Sequence, residues 1–263
     1  MKRISLIIII IVGAVGLFAR PYSALELTVD GGYSTIFSQA PDASRTGGFG
    51  YGAHFGYAFY FNNYIGLGTG VDFHRYAGGI RRQWQETAYG TLDSDGETCD
   101  ITSHYDATTR SSLLYVEIPL AIKVRVPVQE KIYLLFSVGA KYGIAVGGNY
   151  TTSGSTIASA YYDQWHMTID DIYEFGQPKT FGDNGSLTTH ANAFLFGRFD
   201  VGFKVAPGFS ILVGANIQGG LLNAADIPNT TGANRPFSVN LEAGFRYVLP
   251  NLQRRSRCMC EED

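Results

Sequence analysis

Leu114-Tyr115-Val116-Glu117-Ile118-Pro119-Leu120-Ala121-Ile122-Lys123-Val124-Arg125-Val126 alternates without a break. Leu114, Val116, Ile118, Leu120, Ile122, Val124 and Val126 share one face; Tyr115, Glu117, Pro119, Ala121, Lys123 and Arg125 take the other. A period of two marks a strand with one apolar face, because successive side chains leave a strand in opposite directions. The same period resumes at Ile132, where Leu134, Phe136, Val138 and Ala140 oppose Ser137, Gly139 and Lys141. It returns near the end, where Phe237, Val239, Leu241, Ala243, Phe245, Tyr247 and Leu249 oppose Ser238, Asn240, Glu242, Gly244 and Arg246.

Working outward, the pattern predicts eight strands, over about 25–37, 49–61, 64–76, 112–126, 131–147, 190–205, 209–221 and 237–249. Their connections alternate in length. Asn62-Asn63, Pro127 to Glu130 and Ala206 to Gly208 are short, whereas 38–48, 77–111, 148–189 and 222–236 are long. An up-and-down meander built this way has its short turns at one end and its long loops at the other. That asymmetry is the one seen in outer-membrane barrels, whose tilted strands need only ~9–11 residues to span. Composition agrees. Across 263 residues there are 32 Gly, 17 Tyr, 17 Phe and 2 Trp, but only 16% charged residues. This excludes a disordered chain and argues against a helical bundle. A net charge of −3 gives no general attraction for nucleic acid.

Alternation alone does not say which face is inside, since a soluble barrel also has one apolar face. The glycines decide it. Gly50, Gly52, Gly56, Gly66, Gly68, Gly70, Gly139, Gly143, Gly214 and Gly220 share the phase of the charged residues. A water-facing surface has no need to be small, whereas the interior of an eight-stranded barrel is barely wide enough for side chains. That face is also balanced, with acids Glu26, Asp30, Asp72, Glu117, Asp200 and Glu242 against bases Lys123, Arg125, Lys141, Arg198, Lys204 and Arg246. Such a balance suits a buried network, which His54 is expected to join. Aromatics near strand ends (Tyr57, Phe59, Phe61; Phe73, Tyr76; Phe245, Tyr247) read as interfacial girdles. The expected fold is all-β: a closed, eight-stranded, antiparallel, up-and-down transmembrane β-barrel with long extracellular loops. Pro119 removes a ladder donor and predicts a local bulge.

The architecture resembles the small outer-membrane barrels of the OmpA/OmpX type. Tyr115 to Lys123 is similar to a strand motif of the PorT-like outer membrane protein β-barrel domain family. Glu242, Gly244, Tyr247 and Leu249 resemble the last-strand signal read by the barrel-assembly machinery. The resemblance implies the outer membrane of a diderm bacterium, with membrane lipid and that machinery as partners. The tail after Leu249 departs from it, because many such barrels end at that strand.

Lys2 and Arg3 precede an apolar run from Ile4 to Phe18, as in a secretory signal. We therefore expect a signal peptide over 1–24, cut near Ala19 or Ala24, a barrel over 25–249 and a polar periplasmic tail over 250–263.

Chemistry-bearing patterns are sparse. His74, His190, His104 and His166, with Ser111 and Asp106, form no spaced catalytic motif; no cofactor and no catalytic residue is expected. Asp93, Asp95, Glu97 and Asp100 suggest a weak calcium loop, because oxygens alternate around a turning glycine. In the loop from Asn149 to Thr189, Trp165, Ile169, Ile172 and Phe175 recur at helical spacing between Asp163 and Gly176, and predict either a short helix over the mouth or a recognition surface. Cys99 lies in the outer loops, and Cys258 and Cys260 past the last strand, too far to pair with it within one molecule. Three functions follow as expectations: a non-enzymatic barrel with a polar, filled lumen, presenting loops to an extracellular ligand or supporting the envelope; a narrow conduit for small solutes; or an enzyme acting on lipid or peptide.

Overall fold

The computed structural model describes residues 21–38, 43–93, 95–170, 175–228, 230 and 232–250. Eight long strands are β1 (Tyr22–Phe37), β2 (Ala43–Tyr60), β3 (Ile65–Leu92), β4 (Thr98–Pro127), β5 (Ile132–Tyr162), β6 (Asn192–Ala206), β7 (Phe209–Gly220) and β8 (Arg235–Val248). Each pairs antiparallel with its neighbours in sequence, and β1 pairs with β8 from Ala24↔Val248 to Phe37↔Arg235, so the sheet closes on itself. Closure leaves no free edge, the one arrangement of strands whose backbone groups would all be paired in an apolar surround without water.

The short turns have local causes. Asn62 Oδ1 accepts the N–H groups of Tyr64 and Ile65 at 2.8 and 2.7 Å, which folds the chain from β2 into β3. Pro207-Gly208 joins β6 to β7, and the φ of +76° at Gly208 is one that glycine adopts without strain.

The faces divide as the alternation expects. Ile118 and Leu120 are 58% and 65% exposed on the outer wall, while Glu117, the residue just before them and of opposite phase, is fully buried. Leu27, Val29, Phe55, Val71, Val138, Leu195, Leu241 and Phe245 also face outward. Tyr57, Phe59, Phe203, Phe245 and Tyr247 ring the short-turn end, and Tyr33, Phe37, Phe49 and Tyr51 the other. Tyr76, expected in a girdle, points inward instead and is buried.

Glycines make the lumen narrow enough to fill. A Cβ on Gly139 would sit 2.0 Å from the Leu120 carbonyl, and one on Gly56 would lie 2.3 Å from His54 Nε2. Larger residues there would evict the charged side chains or push two strands apart.

Three expectations are corrected. First, the segments expected as long loops at 77–111 and 148–189 are largely strand. Residues 98–112 of β4 pair with β3 on one side, residues 100–112 pair with 149–161 of β5 on the other, and Lys179–Ser186 adds to the far side of β5. This sheet rises roughly 45 Å beyond the barrel wall, at ~3.3 Å per residue. It was hidden because, standing in water, neither face must be apolar, so the period of two disappears while Thr and Tyr still favour strand. Second, Asp163–Trp165 is a single 3-10 turn followed by Met167–Ile169 paired with β5, so no helix carries Trp165 and Ile169. β-sheet pairing with Ala160–Tyr162 outweighs the weak helical spacing. Third, the β3–β4 register is unchanged on both sides of Pro119, from Thr69↔Leu120 to Asp72↔Glu117, so the proline skips ladder bonds without a bulge. Ile172, Cys258, Cys260 and residues 1–20 lie outside the described residues.

Candidate functional site: a filled lumen beneath a raised sheet

Inward-facing side chains stack in three layers. At the short-turn end Tyr22 stacks on Tyr60 with centroids 4.7 Å apart, and the Arg246 guanidinium lies over Tyr60 at 4.9 Å and Tyr133 at 5.6 Å. Leu135 and Leu212 complete this layer.

The middle layer is ionic. Lys141 Nζ sits 2.7 Å from Asp72 Oδ2 and 3.1 Å from Glu117 Oε2, and donates to Gln218 Oε1 at 2.6 Å. Tyr76 donates its hydroxyl to Glu117 Oε1 at 2.7 Å. Asp72 also pairs with His54, and Glu26 with Lys123. Arg246 Nε lies 3.5 Å from Glu26 Oε1. Arg198 Nε is 3.0 Å from Glu242 Oε1, a charge contact without hydrogen-bond alignment. Asp200 faces Glu242 across Gly214, the β7 residue paired with both.

At the loop end Tyr76, Tyr115 and Phe194 pack together, with Tyr76 and Phe194 stacked at 5.3 Å. Ile36, Leu113, Leu187 and Ile227 surround them. The chain then closes over this cluster: Thr188–Thr189 pairs with Ala225–Asp226, and Tyr115 donates to the carbonyls of His190 and Ala224 at 2.8 and 3.1 Å. The gap left among His54, Asp72, Lys123, Ser137, Phe196 and Arg198 measures about 10 Å³, room for one water at most.

The twelve charged lumen candidates do not all meet. Glu26, Asp72, Glu117, Lys123, Lys141, Arg198, Asp200, Glu242 and Arg246 do, with His54. Asp30 sits nearer the loop end, accepting from Asn240 Nδ2 at 2.6 Å beside His74. Lys204 is a correction: it is exposed at the short-turn mouth and donates to the Glu130 carbonyl at 2.9 Å. Arg125 is half-buried at the same mouth over Tyr133. Each stands two residues before its strand ends, at the open mouth, so both lean to water. Phe194, Leu135 and Leu212, which interrupt the polar face in sequence, form the two apolar end layers. Their phase was legible, whereas their grouping by level was not.

His74 lies 3.4 Å from Ser238 Oγ and 3.7 Å from Asp30, not near Ser111 or Asp106. All three side chains are enclosed, so no substrate reaches them. His190 Nε2 meets Asp226 at 3.3 Å on the surface. In the candidate calcium loop, Asp93 Oδ1 accepts the N–H groups of Asp95 and Glu97 at 2.9 Å each, Asp93 Oδ2 accepts from Tyr162, and Asp100 accepts from Gly90 N. Those oxygens hold a hairpin turn, and these hydrogen bonds keep the Asp93 carboxyl below its usual range. Among the described residues, no group of three His, Cys, Asp or Glu is arranged to hold a metal ion. Cys99 is buried beside Ala160 and Tyr162, unpaired.

On the raised sheet, Trp84 stacks on Tyr105 with centroids 4.8 Å apart, Phe181 stands edge-on to Tyr105 at 6.3 Å, and Arg82 lies over Trp84 at 5.4 Å. On its other face Arg81 grips Asp106 through Nε at 2.9 Å and Nη2 at 2.5 Å, with Gln83 adding a third bond at 3.0 Å. These bonds, Arg81 first, lower the Asp106 pKa from 3.8 to about 2. Trp165 is exposed, packed on Tyr162 at 5.2 Å, while Phe175 and Ile169 lean on the Cys99 cluster.

Among curated proteins none matches the chain. Among solved structures, Ail of Yersinia pestis is 14% identical over 86% of this chain and 99% of its own, with a TM-score of 0.32. A second Ail structure, in complex with the heparin analogue sucrose octasulfate, is 13% identical over 86% and 99%, at 0.29. Neisserial surface protein A is 13% identical over 85% and 97%, at 0.35. A family model described as "Outer membrane protein beta-barrel domain" matches residues 19–253, nearly the whole chain. The chain thus belongs to the outer membrane protein β-barrel domain family, and its eight strands span the outer membrane.

Proposed function

We propose that this protein is a non-enzymatic barrel whose working surface is the sheet it raises above the membrane. The filled lumen is then a rigid pillar rather than a path. The observation that carries this reading is the occupancy of the interior: two apolar end layers enclose an ionic layer, and about 10 Å³ remains among its side chains. A conduit for solutes needs a continuous opening, and an enzyme needs a reachable nucleophile. The buried Ser238, His74 and Asp30 offer no approach.

The raised sheet has the features of a docking surface. Trp84, Tyr105 and Phe181 form a rigid aromatic row, the residue types that anchor interfaces. From Gln83 to Leu92, β3 has a strand partner on the β4 side only, among the described residues. Such an edge can accept an added strand, so an extracellular protein with an extended segment fits it. In a planar bilayer the purified barrel is expected to give no stable single-channel conductance. Steady conductance steps would overturn the filled-pillar reading in favour of the conduit.

A further inference from the structure

The geometry points to a phosphate-binding site at the short-turn mouth, on the periplasmic side and independent of the surface role. Six strands end around a pocket of about 250 Å³, lined among others by Tyr22, Arg125, Tyr133, Lys204, Ser210 and Arg246. Three of these carry positive charge, and no acidic side chain lines the pocket. Among the described residues, neither Arg125 nor Lys204 has a carboxylate within 4.0 Å.

Arg246 is not neutralised either. Its nearest acid, Glu26, is shared with Lys123, so the three groups keep a net positive charge.

The donors are orphaned as well. Tyr133 is 1% exposed, and its hydroxyl has no hydrogen-bond partner; Arg125 Nε is buried without one. Lys204 uses one of its three hydrogens on the Glu130 carbonyl. A buried donor left unpaired is costly, so a cluster of them around one cavity calls for an acceptor.

The chemistry of that acceptor follows from charge and shape. Arg125 and Lys204 contribute two uncompensated charges, which match a dianion, and donors converge from several strands, which suits a tetrahedral oxyanion better than a planar carboxylate. Tyr22, Ala206, Phe209 and Val248 supply an apolar wall on the remaining side. A phosphate monoester or free phosphate fits directly. A phospholipid headgroup of the inner leaflet presents a phosphodiester, with two non-bridging oxygens and one charge, and engages part of the same donor set.

The test uses the full-length barrel in a non-ionic detergent without phosphate groups. Inorganic phosphate is titrated at pH 8 and low ionic strength, where screening is weak, and read by calorimetry. Saturable one-to-one binding is expected. R125Q/K204Q should weaken it about tenfold or more, while R110Q on the raised sheet leaves it unchanged. Y133F removes only the hydroxyl and should weaken binding by a smaller factor. Heat-modifiable gel migration shows that each variant is folded. A second arm separates the sources: native mass spectrometry of barrel in phosphatidylglycerol micelles should retain lipid on the wild type and not on R125Q/K204Q if a headgroup is the ligand. Either arm discriminating wild type from the double variant supports the site. If neither does, or if R110Q loses as much as R125Q/K204Q, the site is overturned.

Discussion

Lys141 shows how a charged residue becomes a structural one. Its three hydrogens meet Asp72, Glu117 and Gln218 at 2.7, 3.1 and 2.6 Å. An ammonium taken out of water is tolerated only when nearly every donor is used, because desolvation costs several kcal/mol per ion. Lys141→Ala would leave Asp72 and Glu117 buried with their shared cation gone. We expect a loss of about 3–5 kcal/mol, measured by urea unfolding of the detergent-refolded barrel. An unchanged midpoint would show that the acids are compensated elsewhere. That Lys141 belongs inside was legible from its phase with Gly139 and Gly143. Its partners were not, since Asp72 and Gln218 come from strands far apart in sequence and meet only across the closed barrel.

At the scale of the strand, the extensions of β3, β4 and β5 are what sequence reading missed. The β2–β3 and β4–β5 pairings both shift register next to Arg75, at Tyr51 and at Leu114/Tyr115. Register shifts bend strands, so this level is where the sheet leaves the wall. Arg75 stands there on the outer face, donating to Ser112 Oγ at 2.8 Å and lying over Tyr51. Above it the sheet is held partly by Arg81 and Asp106. Because Asp106 has its pKa lowered to about 2, any stability it adds is present above its unfolded value of ~3.9 and is lost as pH falls through about 2. Carboxyl NMR of Asp106 should therefore titrate near 2, and Arg81→Ala should return the midpoint toward ~3.9. A wild-type midpoint already near 4 would show that the bridge does not form in solution.

For the molecule as a whole, barrel closure favours one of the two expected signal-cleavage points over the other. Tyr22 stacks on Tyr60, Ser23 Oγ meets Tyr57 OH at 2.7 Å, and Leu249 N donates to the Ser23 carbonyl at 2.8 Å. Cutting after Ala24 would remove these contacts at the β1–β2 and β1–β8 seams. We expect cleavage after Ala19, so that N-terminal sequencing of the membrane-extracted protein reads Arg20 first. A start at Leu25 would refute it. By itself the sequence determined the strand period, the meander and which face is oily, because these depend on neighbours two residues apart and on solvent. Only the tertiary structure decided which inward residues share a level, how the ends are plugged, and that the supposed loops stand up as sheet. Those outcomes rest on contacts between residues distant along the chain, or on strands standing in water, where nothing requires an alternating pattern.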